Sequence, residues 1–252
     1  MTEIIAGSKV QVVTSDPVEA RTKSLSHLRD PHGLFVVVEG NIGCGKTSFC
    51  HMLGRVKEEF NGPTEVLFEP VGKPRFRRLL GAFYKDPARW GFAFQMYALN
   101  ERFKQHTYAA ELVSRGKHVL QDRSIYADGC FGTTVYEDGN MTDDEWAIYA
   151  ETFGSLKRFL RYPDVIVYLR TDPKICHDRM TRRSRTEEAG VPLGYLERIH
   201  EKHEEFVQEM SCHTRVLQID WNHFGADIET INDQIAAVAT EDRRFIRDFR
   251  RL

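Results

Sequence analysis

The chain has no apolar run approaching the roughly 20 residues needed to cross a bilayer, and its N-terminus lacks the basic-then-apolar pattern of a secretory signal. It has no CxxC pair: its five cysteines, Cys44, Cys50, Cys130, Cys176 and Cys212, are scattered and odd in number. Neither a disulfide scaffold nor a zinc site is indicated, and the pattern suits free thiols in a reducing compartment. Charge of one sign is not in excess. With 35 Lys+Arg against 37 Asp+Glu the formal net charge is -2, so no global field draws the chain to nucleic acid or an anionic membrane. These absences point inside the cell, to the cytoplasm first. The mitochondrion is the alternative, because Arg21, Lys23 and Arg29 stand among serines and threonines. The interspersed Glu3, Asp16, Glu19 and Asp30 weaken that transit-peptide reading.

What is present is an ordinary globular balance, 41% hydrophobic and 29% charged over 252 residues, enough for one large α/β domain. Residues 1–32 lack sustained periodicity and end in Asp30-Pro31-His32-Gly33; they read as a flexible arm, and residues 33–252 as a single domain. Short β-branched runs at 34–38, 65–68, 118–121, 165–169 and 215–219 read as strands. Helical patterns fall at 48–60, 88–115, 143–160, 173–180, 193–210 and 228–238. Apolar strands spaced by crossover helices predict a five-stranded parallel sheet with helices on both faces, three layers in all. In such sheets ligands bind at the carboxyl ends of the strands.

Gly40-Asn41-Ile42-Gly43-Cys44-Gly45-Lys46-Thr47 fits G-x-x-x-x-G-K-[ST] in full, between a predicted strand and a predicted helix. Backbone N–H groups of such a loop point inward at phosphate oxygens, and the helix N-terminus adds its positive end. Lys46 is expected to bridge the β- and γ-phosphates and the Thr47 hydroxyl to ligate Mg²⁺. The loop identifies triphosphate binding but not the acceptor.

Two strand ends carry acids. Glu69, in Phe68-Glu69-Pro70-Val71, is placed to take a proton from a hydroxyl nucleophile. Asp122-Arg123-Ser124 closes the third strand, its aspartate suited to the metal's outer shell and its arginine to the charge of a moving phosphoryl group. In the long helix Gln95, Leu99 and Arg102 are spaced i, i+4, i+7 and line one stripe among Trp90, Phe92, Phe94, Met96, Tyr97 and Phe103. That stripe suits an aromatic base with hydrogen-bonding edges; spacing alone equally describes a core helix with snorkelling polar ends. Arg179, Arg182, Arg183 and Arg185 crowd into seven residues, either a solvated face or a lid of arginines over the phosphates.

Together these motifs resemble the deoxynucleoside kinase family over nearly everything from Leu34 to Phe224. The likeness runs through the P-loop, Glu69-Pro70-Val71, Phe94-Gln95-Met96-Tyr97, Asp122-Arg123-Ser124 and Arg183-Ser184-Arg185-Thr186-Glu187-Glu188. It implies a three-layer P-loop kinase fold with an arginine-rich lid, and transfer of a phosphoryl group from ATP, with Mg²⁺, to a deoxynucleoside 5′-hydroxyl in nucleotide salvage. It implies that Glu69 is the general base, Asp122 the second catalytic carboxylate and a metal residue beside Thr47, and Arg123 the arginine at the 5′-hydroxyl. The resemblance also implies that Tyr84 and Glu188 hold the 3′-hydroxyl and that Gln95 reads the base. By the same likeness Arg179, Arg183 and Arg185 are expected to cover the triphosphate, and the loop with His223 and Phe224 to cup the donor base. Arg102 and Asp128 match members that accept deoxycytidine or purine deoxynucleosides rather than thymidine. A homodimer through the long helices is implied, without nucleic-acid or membrane partners. Pro74 stands where animal members often have a tryptophan against the base, leaving Phe76, Phe83 and Phe131 as stacking candidates.

Two rival readings remain. A nucleoside monophosphate kinase of the thymidylate type shares the P-loop, the Asp-Arg strand end and an arginine lid, but a carboxylate at Glu69 would repel an already phosphorylated acceptor. A nucleotide-dependent switch without phosphotransfer would need neither the paired acids nor the arginine cluster.

Overall fold

The computed structural model describes residues 2–5, 8–13, 33–54, 64–223 and 228–249. At its centre are five parallel strands, β3 (Phe35–Glu39), β4 (Thr64–Leu67), β5 (His118–Asp122), β6 (Val165–Arg170) and β7 (Arg215–Asp220), in the spatial order β7-β6-β3-β5-β4. The predicted strands are all present, displaced by one residue at most at either end. The P-loop strand β3 therefore lies between β5 and β6, and the loops after β3, β4 and β5 open on the same edge.

The N-terminal arm departs from its expected form. Thr2–Ile5 and Ser8–Val13 make an antiparallel hairpin, β1 and β2, and β2 pairs with β7 so that Val10 faces Ile219 in register. The sheet thus has seven strands, the last two antiparallel. The remainder of the predicted arm, residues 1, 6–7 and 14–32, lies outside the described residues.

Alternation along β3 sorts the layers. Phe35 and Val37 pack against Ala109, Leu112 and Val113 of the long helix α3 (Pro87–Ser114), while Val36 and Val38 join the cluster of Phe49, Leu53 and Trp221 on the other face. Full burial of each such side chain stabilises by roughly 1.5–3 kcal/mol. The helix after the P-loop, α1, runs Lys46–Leu53 with Gly54 at its C-cap, and residues 55–60 of the predicted helix lie outside the described residues.

Two helices escaped the sequence reading: α2 (Pro74–Lys85) and α4 (Asp128–Glu137). Pro74 opens α2 at a position where a missing N–H costs nothing, and Phe76, Leu80 and Phe83 form its buried stripe. Helix α5 (Asp143–Lys157) starts at a capping box: Thr142 accepts from the Glu145 N–H at 3.2 Å and Glu145 accepts from the Thr142 N–H at 2.9 Å. Helices α6 (Pro173–Arg183), α7 (Leu193–Met210) and α8 (Ile228–Phe249) complete the layers. No helix among the described residues is long and apolar enough to cross a membrane.

Candidate active site

The P-loop backbone is shaped by glycine where no other residue fits. Gly43 sits at φ +78, and a Cβ there would lie 2.3 Å from the Cys176 carbonyl oxygen of α6. Asn41 ties the loop to α7 by donating to the Leu196 carbonyl at 2.8 Å, and its own Oδ1 accepts from the Ile42 N–H. Lys46 Nζ donates to the Gly40 and Asn41 carbonyls at 3.0 and 2.8 Å. Beside it, Thr47 Oγ1 donates to Asp122 Oδ2 at 2.7 Å, while Asp122 Oδ1 is buried with no hydrogen-bond partner among the described residues. Burial raises the Asp122 pKa, and the Lys46 charge opposes that rise.

A chain of alternating charges runs inward from this point. Arg123 follows Asp122 with φ +68, a left-handed conformation that a non-glycine residue adopts only when its surroundings hold it there. Its Nη2 donates to the Gly40 carbonyl at 3.1 Å, its Nη1 lies 3.7 Å from Glu39 Oε2, and its Nε lies 3.3 Å from Glu69 Oε1. Glu39 is completely buried, and its Oε1 accepts from both the N–H and the hydroxyl of Ser124 at 2.7 Å. It fastens the β5 exit turn to the P-loop strand. Burial pushes the Glu39 carboxyl pKa up against the opposing charge of Arg123.

Glu69 is the hinge of the arrangement. Its Oε1 also accepts from Arg102 Nη2 at 2.8 Å, and Arg102 Nη1 donates to Asp128. Burial alone would raise the Glu69 pKa; the charges of Arg123, Arg102 and Lys46 outweigh it and lower the value to about 2. Both guanidinium groups lie over the Phe131 ring, Arg102 at 5.1 Å and Arg123 at 4.5 Å from its centroid.

These groups bound one cavity of about 640 Å³ that begins at Ile42, Gly43, Gly45, Lys46 and Thr47 and reaches Glu69, Arg102 and Arg123. Gln95 faces it with its Oε1 buried and unpartnered among the described residues. Phe76, Phe83 and Phe94 supply an apolar wall, with Phe83 and Phe94 stacked at 5.3 Å and Phe76 edge-on to Phe94. A flat aromatic ligand with one hydrogen-bonding edge suits that wall. Tyr84 and Glu188 border the same space. The cavity spans phosphate loop, carboxylate and aromatic wall without a break.

The arginine cluster also reaches it. Arg179 donates to the carbonyls of Cys44, Trp221 and Asn222, which joins α6 to the P-loop and to the exit of β7. Arg183 and Arg185 both pair with Glu188, the latter at 2.9 Å. Six predicted residues among those described stand apart from the cavity wall, among them Gly40, Asn41 and Cys44 of the P-loop. Asp122 lies behind Thr47, Asp128 lies behind Arg102 with no exposed surface, and His223 is exposed and outside the wall. Phe224 lies outside the described residues.

Comparison with known proteins decides the family. The deoxynucleoside kinase family model matches residues 36–247. The chain belongs to the deoxynucleoside kinase family. The kinase is 34% identical to a deoxyadenosine kinase of Dictyostelium discoideum over 233 residues, 92% of this chain and 87% of the relative. It is 34% identical to a mitochondrial deoxyguanosine kinase of Xenopus laevis, covering 68% of this chain and 71% of that one. It is 33% identical to the human mitochondrial thymidine kinase 2, covering 83% and 79%. The fold and the phosphorylation of deoxynucleosides with a nucleotide phosphate donor follow from this membership.

Two members of the site were missed by sequence reasoning. Glu39 falls just beyond the predicted strand 34–38 and belongs to no motif, and only the β3–β5 pairing brings it to Ser124 and Arg123. Tyr149, whose hydroxyl donates to Asp128 at 2.5 Å, reads as an ordinary residue of an amphipathic helix.

Proposed function

We propose that the kinase uses ATP and Mg²⁺ to phosphorylate the 5′-hydroxyl of a purine deoxynucleoside or deoxycytidine in preference to thymidine. The observation that carries this reading is Glu69, an ionised carboxylate held by Arg102 and Arg123 in the wall of the same cavity as the P-loop. The 5′-oxygen attacks the γ-phosphorus, the bond to the bridging oxygen of the leaving diphosphate breaks, and the hydroxyl proton passes to Glu69. A carboxylate of pKa about 2 is a weak base. Phosphoryl transfer through a loose transition state asks for little early proton removal, so Glu69 chiefly orients the hydroxyl and accepts the proton late.

The triphosphate would take the Lys46 ammonium and the N–H groups from Gly43 to Thr47, with Arg179, Arg183 and Arg185 as a lid. Thr47 and Asp122 would hold the metal. The unpartnered, buried Oδ1 of Asp122 supports that fit, because it would meet the metal's surroundings without losing an existing bond. Mg²⁺ there supplies charge neutralisation on the phosphates. Arg123, anchored to the Gly40 carbonyl, bridges the P-loop and the acceptor carboxylate and so meets the charge that develops between them.

Gln95 and Arg102 would read the base edge and Tyr84 and Glu188 the 3′-hydroxyl. An arginine in the base wall rewards a base with an acceptor facing it and leaves a donor unpaired against thymine's methyl side. Turnover of the four natural deoxynucleosides by the parent and by an Arg102→Leu/Asp128→Ala variant tests this. The preference moves toward thymidine in the variant, and an unchanged ranking refutes the assignment.

The kinase would form a homodimer through α3 and α5, the helices that carry exposed Tyr108 and Ile148, and analytical ultracentrifugation tests this directly. Four buried free cysteines, Cys44, Cys50, Cys130 and Cys176, support a place inside the cell.

A further inference from the structure

Asp128 does not face the cavity, and both of its carboxylate oxygens are engaged. Arg102 Nη1 donates to Oδ1, and the Tyr149 hydroxyl donates to Oδ2 at 2.5 Å. Tyr149 belongs to α5 and is fully buried. Its ring crosses α4 at Gly132, one turn after Asp128. A Cβ built on Gly132 would lie 2.3 Å from the ring's Cε1 and Cζ and 2.5 Å from the hydroxyl oxygen. Glycine alone leaves this passage open. Packing by itself does not account for the phenol. The ring stacks between Trp146 at 5.7 Å and Phe153 at 6.0 Å, and phenylalanine would do the same. A hydroxyl buried there costs free energy unless it has a partner, and its partner is the carboxylate that holds Arg102.

We propose that Tyr149, admitted by Gly132, is a specificity-positioning residue. It fixes Asp128 so that Arg102 keeps one pose between Asp128 and Glu69, and thereby sets the preference against thymidine. The inference rests on the reading that Arg102 meets the base. Removing the hydroxyl leaves Asp128 Oδ2 buried without a donor. Arg102 is then the remaining donor on that carboxylate and loses its fixed pose toward the base, while Glu69 keeps its contact with Arg123 at 3.3 Å. Acceptors read by Arg102 lose a fixed partner, whereas thymidine, which does not use the pair, is little affected.

The test measures kcat/KM for the four deoxynucleosides at saturating ATP and Mg²⁺, the KM for ATP, and the Tm, in the full chain carrying Tyr149→Phe or Gly132→Ala. For Tyr149→Phe we expect about a tenfold loss in kcat/KM for the preferred acceptor, mainly through its KM. Thymidine turnover and the KM for ATP stay within about twofold in the same variant. Gly132→Ala, which displaces the ring, gives the same pattern; if it does not fold, Tyr149→Phe decides alone. An equal loss for all four acceptors, or an unchanged ratio between them, overturns the inference. Arg102→Leu separates the two levels. If it shifts the preference while Tyr149→Phe does not, the role of Tyr149 fails and the base reading stands. If Arg102→Leu leaves the ratio unchanged, the base reading fails and the inference falls with it.

Discussion

Thr47 on α1 and Asp122 at the end of β5 are joined by a 2.7 Å hydrogen bond from the threonine hydroxyl, although 75 residues separate them. The pairing of β3 with β5 in register brings Val38 opposite Asp122 and makes this contact possible. It sets the two oxygens expected around the metal on the phosphate side of the cavity.

Asp122→Asn keeps the size of the side chain and the acceptor toward Thr47 but removes the charge. We expect kcat to fall by about a hundredfold and the Mg²⁺ concentration for half-maximal rate to rise. Activity titrated against Mg²⁺ checks both, and a variant with the parent's metal dependence would remove Asp122 from the metal's surroundings.

Gly43→Ala has a purely geometric consequence. Its methyl would meet the Cys176 carbonyl at 2.3 Å, and φ +78 disfavours any L side chain. The loop must move, so the KM for the phosphate donor rises at least about tenfold. A fluorescent nucleotide analogue titrated into parent and variant reports this without turnover.

His106 makes stability depend on pH in a defined window. Burial lowers its pKa from 6.5 to about 4. Because the folded value is depressed, the unfolded chain binds the extra proton first as pH falls. The contribution is complete above pH 6.5 and is lost progressively as pH drops through 4. Glu69, lowered from 4.5 to about 2, loses its contribution in the next window down, between 4.5 and 2. Replacing His106 by Phe in its mostly apolar setting of Phe35 and Tyr126 should flatten Tm between pH 6.5 and 4.5 relative to the parent. A parallel fall in both proteins would contradict the assignment.

The parts of the site that are contiguous in sequence were legible there. The P-loop spacing, Glu69 before Pro70, and Asp122-Arg123-Ser124 each announce a local geometry that depends on few other residues. Gln95 and Arg102 were legible as one stripe because a helix fixes their relative direction. Glu39 and Tyr149 were not, because their roles exist only after β3 meets β5 and α5 packs on α4. The α2 stripe of Phe76, Leu80 and Phe83 was masked by Arg75, Arg77 and Arg78 interleaved with it. The β1–β2 hairpin has its partner strand, β7, some two hundred residues away, and nothing local in residues 2–13 signals that pairing.

The most direct measurement of the central claim is single-turnover formation of deoxynucleoside monophosphate by Glu69→Gln. The glutamine fills the same space, keeps an acceptor toward Arg102 and cannot take the proton. The expected rate is lower by about 10²–10⁴ with the donor still bound. Formation of the monophosphate at the parent's rate would contradict the claim.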